Sequence, residues 1–359
     1  MERGHIGYLD SFRAFAIIGV VLTHAVWLSH DIPVWLDNVS HFGSKGVQLF
    51  FMVSGLTLAL NYDANSLKVG NFFVKRFFRI APMYYFSALF YVAVGYSILP
   101  SALPTNLSIE SWLSTFTFTN GWSPKTINSF VPGGWSIAAE MMFYLCFPVF
   151  VRLRDKRWLS VSFVSISFFV SVAIYKLIIQ KIPGDAEDIS SFAYFFWITQ
   201  LPAFLLGIAI AAWLPFLTRY RAVSSYLFFF VAALTVAAAF SRGVFSSYIA
   251  ADILFSGLIL SAATADFSFM RGRILTYIGT ISFSIYLTHF FVIHLLMDQA
   301  SILEKLVGGT TLVIGGYLIT MAAATAISSL TYPMIEKNGK NIGNYLLRYG
   351  RKRIQGQAA

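Results

Sequence analysis

The sequence predicts an all-α integral membrane protein, a bundle of about ten transmembrane helices with both termini in the cytoplasm. Of its 359 residues, 57% are hydrophobic and only 12% are charged, and the mean hydropathy is +0.68. A soluble domain carries about a quarter charged residues, so this chain cannot cover a surface that faces water. Apolar runs of about twenty residues, the length that crosses a bilayer, recur along the whole sequence.

Hydropathy places ten spans in order, each drawn as a helix because lipid leaves an open strand or loop without hydrogen-bond partners. The first span resembles the core of a signal peptide, but no small-residue cleavage site follows it, so we expect it to be retained. The predicted spans are residues 11–28, 43–60, 80–99, 134–151, 158–179, 192–214, 223–240, 247–266, 274–297 and 309–334. We therefore expect one transmembrane domain, residues 1–334, and a basic cytoplasmic tail, residues 335–359.

The lysines and arginines predict the orientation of the bundle. Twenty of the 26 fall at the termini and in alternate loops on the same side. The six on the other side are Lys45, Lys125, Lys176, Lys181, Arg242 and Lys305. Because cytoplasmic loops are enriched in lysine and arginine, both termini are predicted to be cytoplasmic. Topology thus accounts for the net charge of +10, and we expect membrane lipid, not nucleic acid, as a partner.

The first span contains the sharpest arrangement of ionisable side chains, which are costly in lipid and therefore leading candidates for function. Arg13 and His24 are eleven residues apart, a spacing that returns a helix to within about 20° of one face, and Asp10 shares that stripe. The histidine would lie about 16 Å deeper than the arginine. We predict that Arg13 and His24 face one cavity, as an anion-binding group and a titratable base. The alternative is that Arg13 anchors the topology and His24 only bonds a neighbouring helix.

A cluster of basic residues, Lys75, Arg76 and Arg79, follows the second span and precedes a predicted helix start marked by Pro82. The planar arginine side chain pairs well with phosphate oxygens, and coenzyme A carries a phosphorylated ADP at one end. We expect this cluster to bind that nucleotide while the pantetheine arm reaches inward. Positive charge that only fixes the topology would also explain it.

Glu140 lies in the outer half of the fourth span, with Trp135 at the start of that span. A carboxylate in an apolar helix must be paired or protonated. We expect Glu140 either to raise the basicity of His24 or to bind an acceptor hydroxyl, the alternative being a structural pair with an arginine. Trp135 is a candidate for stacking on a sugar ring, although tryptophan is common at membrane interfaces in any case.

The ninth span carries Ser282, Tyr286 and His289 at positions i, i+4 and i+7, which form one polar stripe on an apolar helix. We expect these three to bind substrate, with His289 as a second candidate base. Small hydroxyl groups on such a stripe also serve simply as packing contacts between helices.

Six features in this order resemble the membrane acyltransferase-3 family, whose bacterial members O-acetylate lipopolysaccharide, capsule and exopolysaccharide. They are the pair Arg13 and His24, GVQLFFMVSGLTLAL, the RxxRIxP core of residues 75–82, GGWSIAAEMMFYLCFP, ISFSIYLTH and YPMIEKNGKNIG. Each of them is short, whereas six in sequence order over nearly the whole chain are specific.

The resemblance implies a multi-pass acyltransferase of the bacterial inner membrane, in which Arg13, His24, Arg76, Arg79 and Glu140 matter for transfer. It also implies acetyl-CoA as the acyl-donor co-substrate, a glycan as the acceptor, and no metal. Many relatives carry an additional periplasmic SGNH hydrolase-like domain, whereas only a basic tail follows the last span here. We therefore expect a stand-alone membrane domain that works by itself or with a periplasmic partner.

Our hypothesis is that acetyl-CoA docks from the cytoplasm on the arginines. His24, assisted by Glu140, would then act either as a general base for a sugar hydroxyl or as a transient acyl carrier. The rival hypothesis is a multi-pass transporter or flippase of a glycan or lipid intermediate, since intramembrane histidine, glutamate and arginine also build such pathways.

Overall fold

The computed structural model describes residues 7–62, 69–97, 108–241 and 247–356. Arg3, Lys68 and Arg242, which entered the charge count above, lie outside these ranges. Within them, all regular structure is helical. The helices of ordinary α geometry are α1 (Gly7–Ala25), α2 (Val34–Gly43), α3 (Gly46–Asn61), α4 (Val69–Ser97), α5 (Ile109–Thr117), α6 (Gly134–Phe150), α7 (Arg157–Lys181), α8 (Ala186–Phe195), α9 (Trp197–Leu217), α10 (Arg221–Phe240), α11 (Tyr248–Ala265), α12 (Arg273–Val307), α13 (Gly309–Thr331) and α14 (Asn338–Gly356).

The predicted all-helical membrane fold is confirmed, whereas the orientation of the termini stays a prediction. In the part of the chain that the structure describes, nine helical stretches are long and apolar enough to cross a membrane. One of them, Ala186–Phe240, contains two predicted spans, because α9 and α10 follow each other with only a short turn between them. Each of the ten predicted spans therefore overlaps one long helix.

Close backbone contacts at glycines hold the centre of the bundle together. Gly55 of α3 faces the carbonyl of Phe204, and Gly207 of α9 faces the carbonyl of Met52, so these two helices meet without side chains between them. Gly279 of α12 packs in the same way against the carbonyl of Asp10. Because lipid tails are as apolar as the helices, the hydrophobic effect does not drive helices together in a membrane. Close packing at small residues stabilises their association instead.

The helices at the edge of the bundle show the opposite pattern. Phe169 of α7 is 78% exposed and Tyr226 of α10 is 80% exposed, although both side chains are aromatic. Exposed apolar side chains on long helices are the surface expected to face lipid. The polar candidates of the sequence analysis lie instead on α1, α4, α6 and α12.

The third membrane helix starts earlier than predicted. α4 begins at Val69, so Lys75, Arg76 and Arg79 are helical, and Pro82 lies inside the helix instead of marking its start. A membrane helix tolerates an internal proline because neighbouring helices satisfy the backbone groups that it frees. The consequence is that Arg76 and Arg79 are one turn apart on a rigid element.

Two further boundaries differ from the predicted ones. The sixth span is preceded by a separate helix, α8, because Phe196 adopts an extended conformation between α8 and α9. At the other end, α13 ends at Thr331, but helical structure continues into the predicted tail. It passes through a turn of π-helix, Tyr332–Lys337, directly into α14, and Glu336 of this turn is completely buried.

We expect Gly207→Val to destabilise the bundle, because a β-carbon at this position would press on the backbone of Met52 and Leu56. Overpacking of this kind costs about 1–3 kcal/mol, which should appear as a lower midpoint of thermal unfolding in detergent. Gly315→Val is the matched control, because Gly315 also lies in a long helix but has nothing within 4 Å of its β-carbon position. Equal stability of the two variants would show that the α3–α9 contact does not depend on glycine.

Candidate active site

Three cavities follow one another through the centre of the bundle. The inner cavity has a volume of about 270 Å³, the central chamber about 70 Å³ and the outer cavity about 400 Å³. Arg13, Ser54 and Arg79 line both the inner cavity and the central chamber. Val47 and Tyr286 line both the central chamber and the outer cavity. The shared walls make the three spaces one row.

The inner cavity is strongly cationic. Arg76 and Arg79 reach it from α4, and Lys340 reaches it from α14. Arg13 and Asp10 contribute from α1. Four cations thus face one carboxylate among the lining side chains, which makes the cavity suitable for a ligand that carries several negative charges.

The cations of the inner cavity differ in how well their donors are satisfied. Arg13 donates to Asp10 Oδ1 over 2.7 Å and to Thr57 Oγ1 over 2.9 Å, so its guanidinium is held in place from two sides. The Nε–H of Arg76 is buried and has no hydrogen-bond partner, although the guanidinium lies 5.9 Å from the ring of Phe72. An unpaired buried donor is costly, so Arg76 is the less satisfied of the two cations, and its side chain lines the inner cavity.

Lys75 does not join this group. Its side chain is exposed and is not among the residues that line the inner cavity. Lys75 and Arg76 are consecutive in α4, so their side chains leave the helix about 100° apart, and Lys75 lies at the edge of the face that carries Arg76 and Arg79. Lys340, which the sequence analysis did not single out, is present instead and donates to Glu336 over 2.7 Å. The spacing of Glu336 and Lys340, four residues in YPMIEKNGK, was the available signal.

Glu140 lies in the central chamber but is not paired with His24. Its Oε1 accepts hydrogen bonds from the hydroxyls of Ser54, over 2.6 Å, and Tyr144, over 2.5 Å. The structure does not bring Glu140 against His24, which lines the outer cavity; the carboxylate faces Ser54 of α3 and shares the central chamber with Arg13 and Arg79. Ser282 also lines this chamber and donates to the carbonyl of Gly279 in its own helix.

Tyr286 stands between the central chamber and the outer cavity. Its hydroxyl donates to the carbonyl of Gly133 over 3.0 Å and accepts from Ser136 over 2.9 Å. Gly133 has a φ of +74°, and a β-carbon there would lie 2.6 Å from the tyrosine oxygen. Glycine is thus required at this position both for the backbone conformation and for the space.

The outer cavity is lined mainly by aromatic side chains. Trp27 and Phe290 flank His24, with ring centroids 4.8 Å and 4.4 Å from the imidazole. Trp135 forms another wall and stacks on Phe195 at 4.4 Å. Aromatic walls around a titratable nitrogen suit a ligand with an apolar face and hydroxyl groups, such as a sugar ring.

His289 contacts His24 directly, which the sequence analysis did not predict. It is completely buried and is not among the residues that line the three cavities, so the structure does not place it against a substrate. Its Nε2 lies 3.2 Å from Nδ1 of His24, and its own Nδ1 lies 3.1 Å from the carbonyl of Ile285. His289 therefore supports His24 from behind.

The hydrogen bonds assign the tautomer of His24. Its Nδ1 lies 2.8 Å from the carbonyl of Val20, which can only accept, so Nδ1 carries the proton. In the same way, the Nδ1–H of His289 donates to the carbonyl of Ile285 in its own helix. Nε2 of His289 therefore carries no proton and accepts a second hydrogen bond from the Nδ1–H of His24. Consequently Nε2 of His24 carries the lone pair, as a general base or a nucleophile requires.

Arg13 and His24 lie on α1 as predicted, but they do not share one cavity. Arg13 lines the inner cavity and the central chamber, and His24 lines the outer cavity. Val47 and Tyr286 lie between the two levels. In the described ranges there is no group of three or more His, Cys, Asp or Glu side chains that could hold a metal ion.

Comparison with known proteins identifies a family whose model matches most of the chain. A family model described as an acyltransferase domain matches residues 6–332. The chain is 26% identical over 317 residues to the acyltransferase MdmB of Streptomyces mycarofaciens, covering 79% of this chain and 78% of that protein. It is 29% identical over 229 residues to the O-acetyltransferase OatA of Staphylococcus aureus, covering 58% of this chain. The match spans only 35% of OatA. No solved structure matches the chain.

We expect Arg76→Gln and Arg79→Gln each to weaken binding of inorganic pyrophosphate to the purified protein by about tenfold or more. Charge-assisted hydrogen bonds contribute about 1.5–3 kcal/mol, and each 1.4 kcal/mol is a factor of ten. Isothermal titration calorimetry in detergent measures the affinity directly. Lys75→Gln is the control, since it removes the same kind of charge outside the cavity, and an equal loss in this variant would refute the assignment.

Proposed function

Because the chain belongs to the acyltransferase domain family, we propose that it is a membrane O-acetyltransferase. It moves an acetyl group from acetyl-CoA to a sugar hydroxyl of a cell-surface polysaccharide or lipopolysaccharide O-antigen. The observation that carries this proposal is the row of three cavities, with a cationic site at one end and an imidazole lone pair at the other. The family also favours acyl transfer over the transporter alternative.

We place the protein in the bacterial inner membrane with both termini and the inner cavity toward the cytoplasm. The excess of lysine and arginine in alternate loops supports this orientation. The position of the inner cavity agrees with it, because Arg76 and Arg79 lie near the start of α4 and Lys340 follows the last membrane span. The outer cavity, which contains His24, then faces the periplasm.

In this orientation the inner cavity receives the donor. The phosphates of acetyl-CoA bind the guanidinium groups of Arg76 and Arg79 and the ammonium group of Lys340. A charged nucleotide cannot pass through the bilayer core, and the central chamber, at about 70 Å³, is too small to hold it. The thin pantetheine arm can enter that chamber and carry the thioester toward Tyr286.

The acceptor hydroxyl binds in the outer cavity beside Nε2 of His24. As general base, Nε2 takes the hydroxyl proton while the sugar oxygen attacks the thioester carbonyl. The carbon–oxygen bond forms, the carbon–sulfur bond breaks, and the proton passes to the sulfur of coenzyme A. As acyl carrier, Nε2 instead attacks the carbonyl first and expels the thiolate of coenzyme A. The sugar hydroxyl then displaces the imidazole from the acyl carbon, and the hydroxyl proton passes to the thiolate.

Other side chains in the cavity walls compensate charge and offer a surface for the sugar. Glu140 compensates the positive charge of Arg13 and Arg79 in the central chamber, and the hydroxyls of Ser54 and Tyr144 fix its orientation. Trp135 forms an apolar wall against which a sugar ring can stack. OatA is named as an O-acetyltransferase, which supports acetyl as the transferred group.

We expect His24→Ala to abolish acetylation, with a loss of at least about 100-fold, since a positioned base contributes about 10²–10⁴-fold. The wild-type gene, His24→Ala and His30→Ala are each returned to a strain that lacks the gene. Proton NMR of purified surface polysaccharide then measures the acetyl content. His30 is exposed and lies outside the three cavities, so its variant controls for loss of a histidine.

Normal acetylation by His24→Ala would refute the catalytic role of this residue. If deletion of the gene leaves acetyl content unchanged and the purified protein does not consume acetyl-CoA, the enzyme assignment fails, and the transporter alternative becomes the better explanation. Immunoblotting of membrane fractions confirms that each variant is inserted.

His289 is proposed as a positioning residue, which we expect to show by conservative rescue. His289→Phe removes the acceptor behind His24 but leaves the bond to Val20. One hydrogen bond contributes about 0.5–1.5 kcal/mol, so kcat should fall about threefold to tenfold. His289→Gln places an amide oxygen near the lost nitrogen and should keep kcat within about twofold of wild type. Equal loss in both variants would contradict the positioning role.

A further inference from the structure

Helix α14 begins where the last membrane span ends. α13 has 23 residues, and at 1.5 Å per residue it is about 34 Å long, enough to cross the hydrocarbon core. The turn of π-helix then leads into α14 without a break. α14 therefore starts at the membrane surface, at the end of the bundle that carries the inner cavity.

One face of α14 packs on the protein. Gly339 and Gly343, one turn apart, both lie against Phe78 of α4, and Gly339 also touches Pro82. The small residues let the two helices approach closely at the inner end of α4. Lys340, next to this face, bonds to the buried Glu336 and lines the inner cavity.

A second face of α14 is apolar and has no partner among the described residues. Ile342, Tyr345, Leu346 and Tyr349 are each between 46% and 64% exposed. Their spacing of i, i+3, i+4 and i+7 puts them within about 100° of arc. Such a stripe on a water-facing helix would be unfavourable, whereas at a membrane surface it can insert among lipid chains.

The rest of α14 is basic. Its sequence, NGKNIGNYLLRYGRKRIQG, contains five lysines or arginines and no acidic residue, and one of the five, Lys340, lines the inner cavity instead of facing lipid. At 100° per residue, Arg348 lies more than about 90° away from the centre of the apolar stripe. Basic side chains on the polar face of an amphipathic helix bind anionic lipid headgroups, with about 1 kcal/mol per residue near a charged surface.

We propose that α14 is a lipid-docking helix whose apolar stripe inserts into the leaflet beside the inner cavity and whose basic residues bind anionic headgroups. Resting on the proposed function, the proposal adds that this contact holds Lys340 in the donor cavity. The lipid contact then acts on the donor site only through Lys340, because anionic headgroups themselves repel the anionic donor. A protein partner on the same stripe is the alternative that the following experiment excludes or supports.

The depth of α14 is measured with spin labels on the full-length protein in nanodiscs. The native cysteine is removed by Cys146→Ala, and each variant then carries one label on one new cysteine. The new cysteines are Leu346→Cys on the apolar stripe, Arg348→Cys on the polar face, and Leu318→Cys at an exposed position of α13. We expect the label at 346, like that at 318, to be accessible to oxygen and protected from a water-soluble nickel reagent. The label at 348 should show the reverse. Equal access of the nickel reagent at 346 and 348 would overturn the proposal.

The link between the lipid contact and the donor cavity is tested in nanodiscs of phosphatidylcholine that also contain phosphatidylglycerol. Repulsion between phosphatidylglycerol and the anionic donor acts equally on every variant, so the comparison is made between variants in the same nanodiscs. With phosphatidylglycerol present, we expect KM for acetyl-CoA to be about fivefold to tenfold higher in the double variant Ile342→Ser with Leu346→Ser than in the wild type, while kcat changes by less than about twofold. Leu318→Ser should behave like the wild type. Equal KM values in the wild type and the double variant would overturn the link to the donor cavity.

The two measurements separate the two proposals. If the protein turns over no acetyl-CoA in any lipid, the proposed function fails, but the spin labels still report whether α14 lies in the leaflet. If turnover is normal and the label at 346 is in water, the enzyme proposal stands and the lipid-docking proposal fails.

Discussion

The absence of water from the bilayer core is the constraint on which the rest of this structure depends. A polar group that stays in hydrocarbon without a partner costs several kcal/mol, so the ionisable side chains gather where they can satisfy one another. Arg13 therefore lies between Asp10 and Thr57, and Glu140 accepts from Ser54. The polar interior of the bundle is the result, and the cavities run through it.

Glycine contacts decide which side chains meet in that interior. α1 and α12 touch backbone to backbone where Gly279 meets the carbonyl of Asp10. Further along the same pair of helices, His24 meets His289. Any larger residue at position 279 would push the two helices apart, and the distance between the two imidazoles would change with it. The packing that stabilises the bundle is thus also the packing that orients the proposed base.

The division into three spaces has a chemical consequence. All four cations that suit a nucleotide line the inner cavity, two of them also reach the central chamber, and none lines the outer cavity, whose walls of tryptophan, tyrosine and phenylalanine suit a sugar. Tyr286, fixed by Gly133 and Ser136, stands between them. In the proposed function, a donor and an acceptor that never share a compartment react across this short central chamber while the nucleotide and the glycan remain on opposite sides of the membrane.

Hydropathy and helical periodicity predicted the fold class, the overlap of each predicted span with a long helix in the described residues, and the position of Arg13 and His24 on α1. These properties depend on neighbouring residues in the chain, so they can be read from a single sequence. The same reasoning placed the start of α4 too late, because proline breaks helices in water but is tolerated among packed membrane helices.

The partners inside the bundle were decided only by the tertiary structure. His289 lies 265 positions from His24, Lys340 reaches the cavity of Arg76 from α14, and Glu140 turns away from the histidine it was expected to assist. Each of these depends on the rotation and register of one helix against another. Close contacts between distant glycines and carbonyls set that register, and no local pattern in the sequence records it.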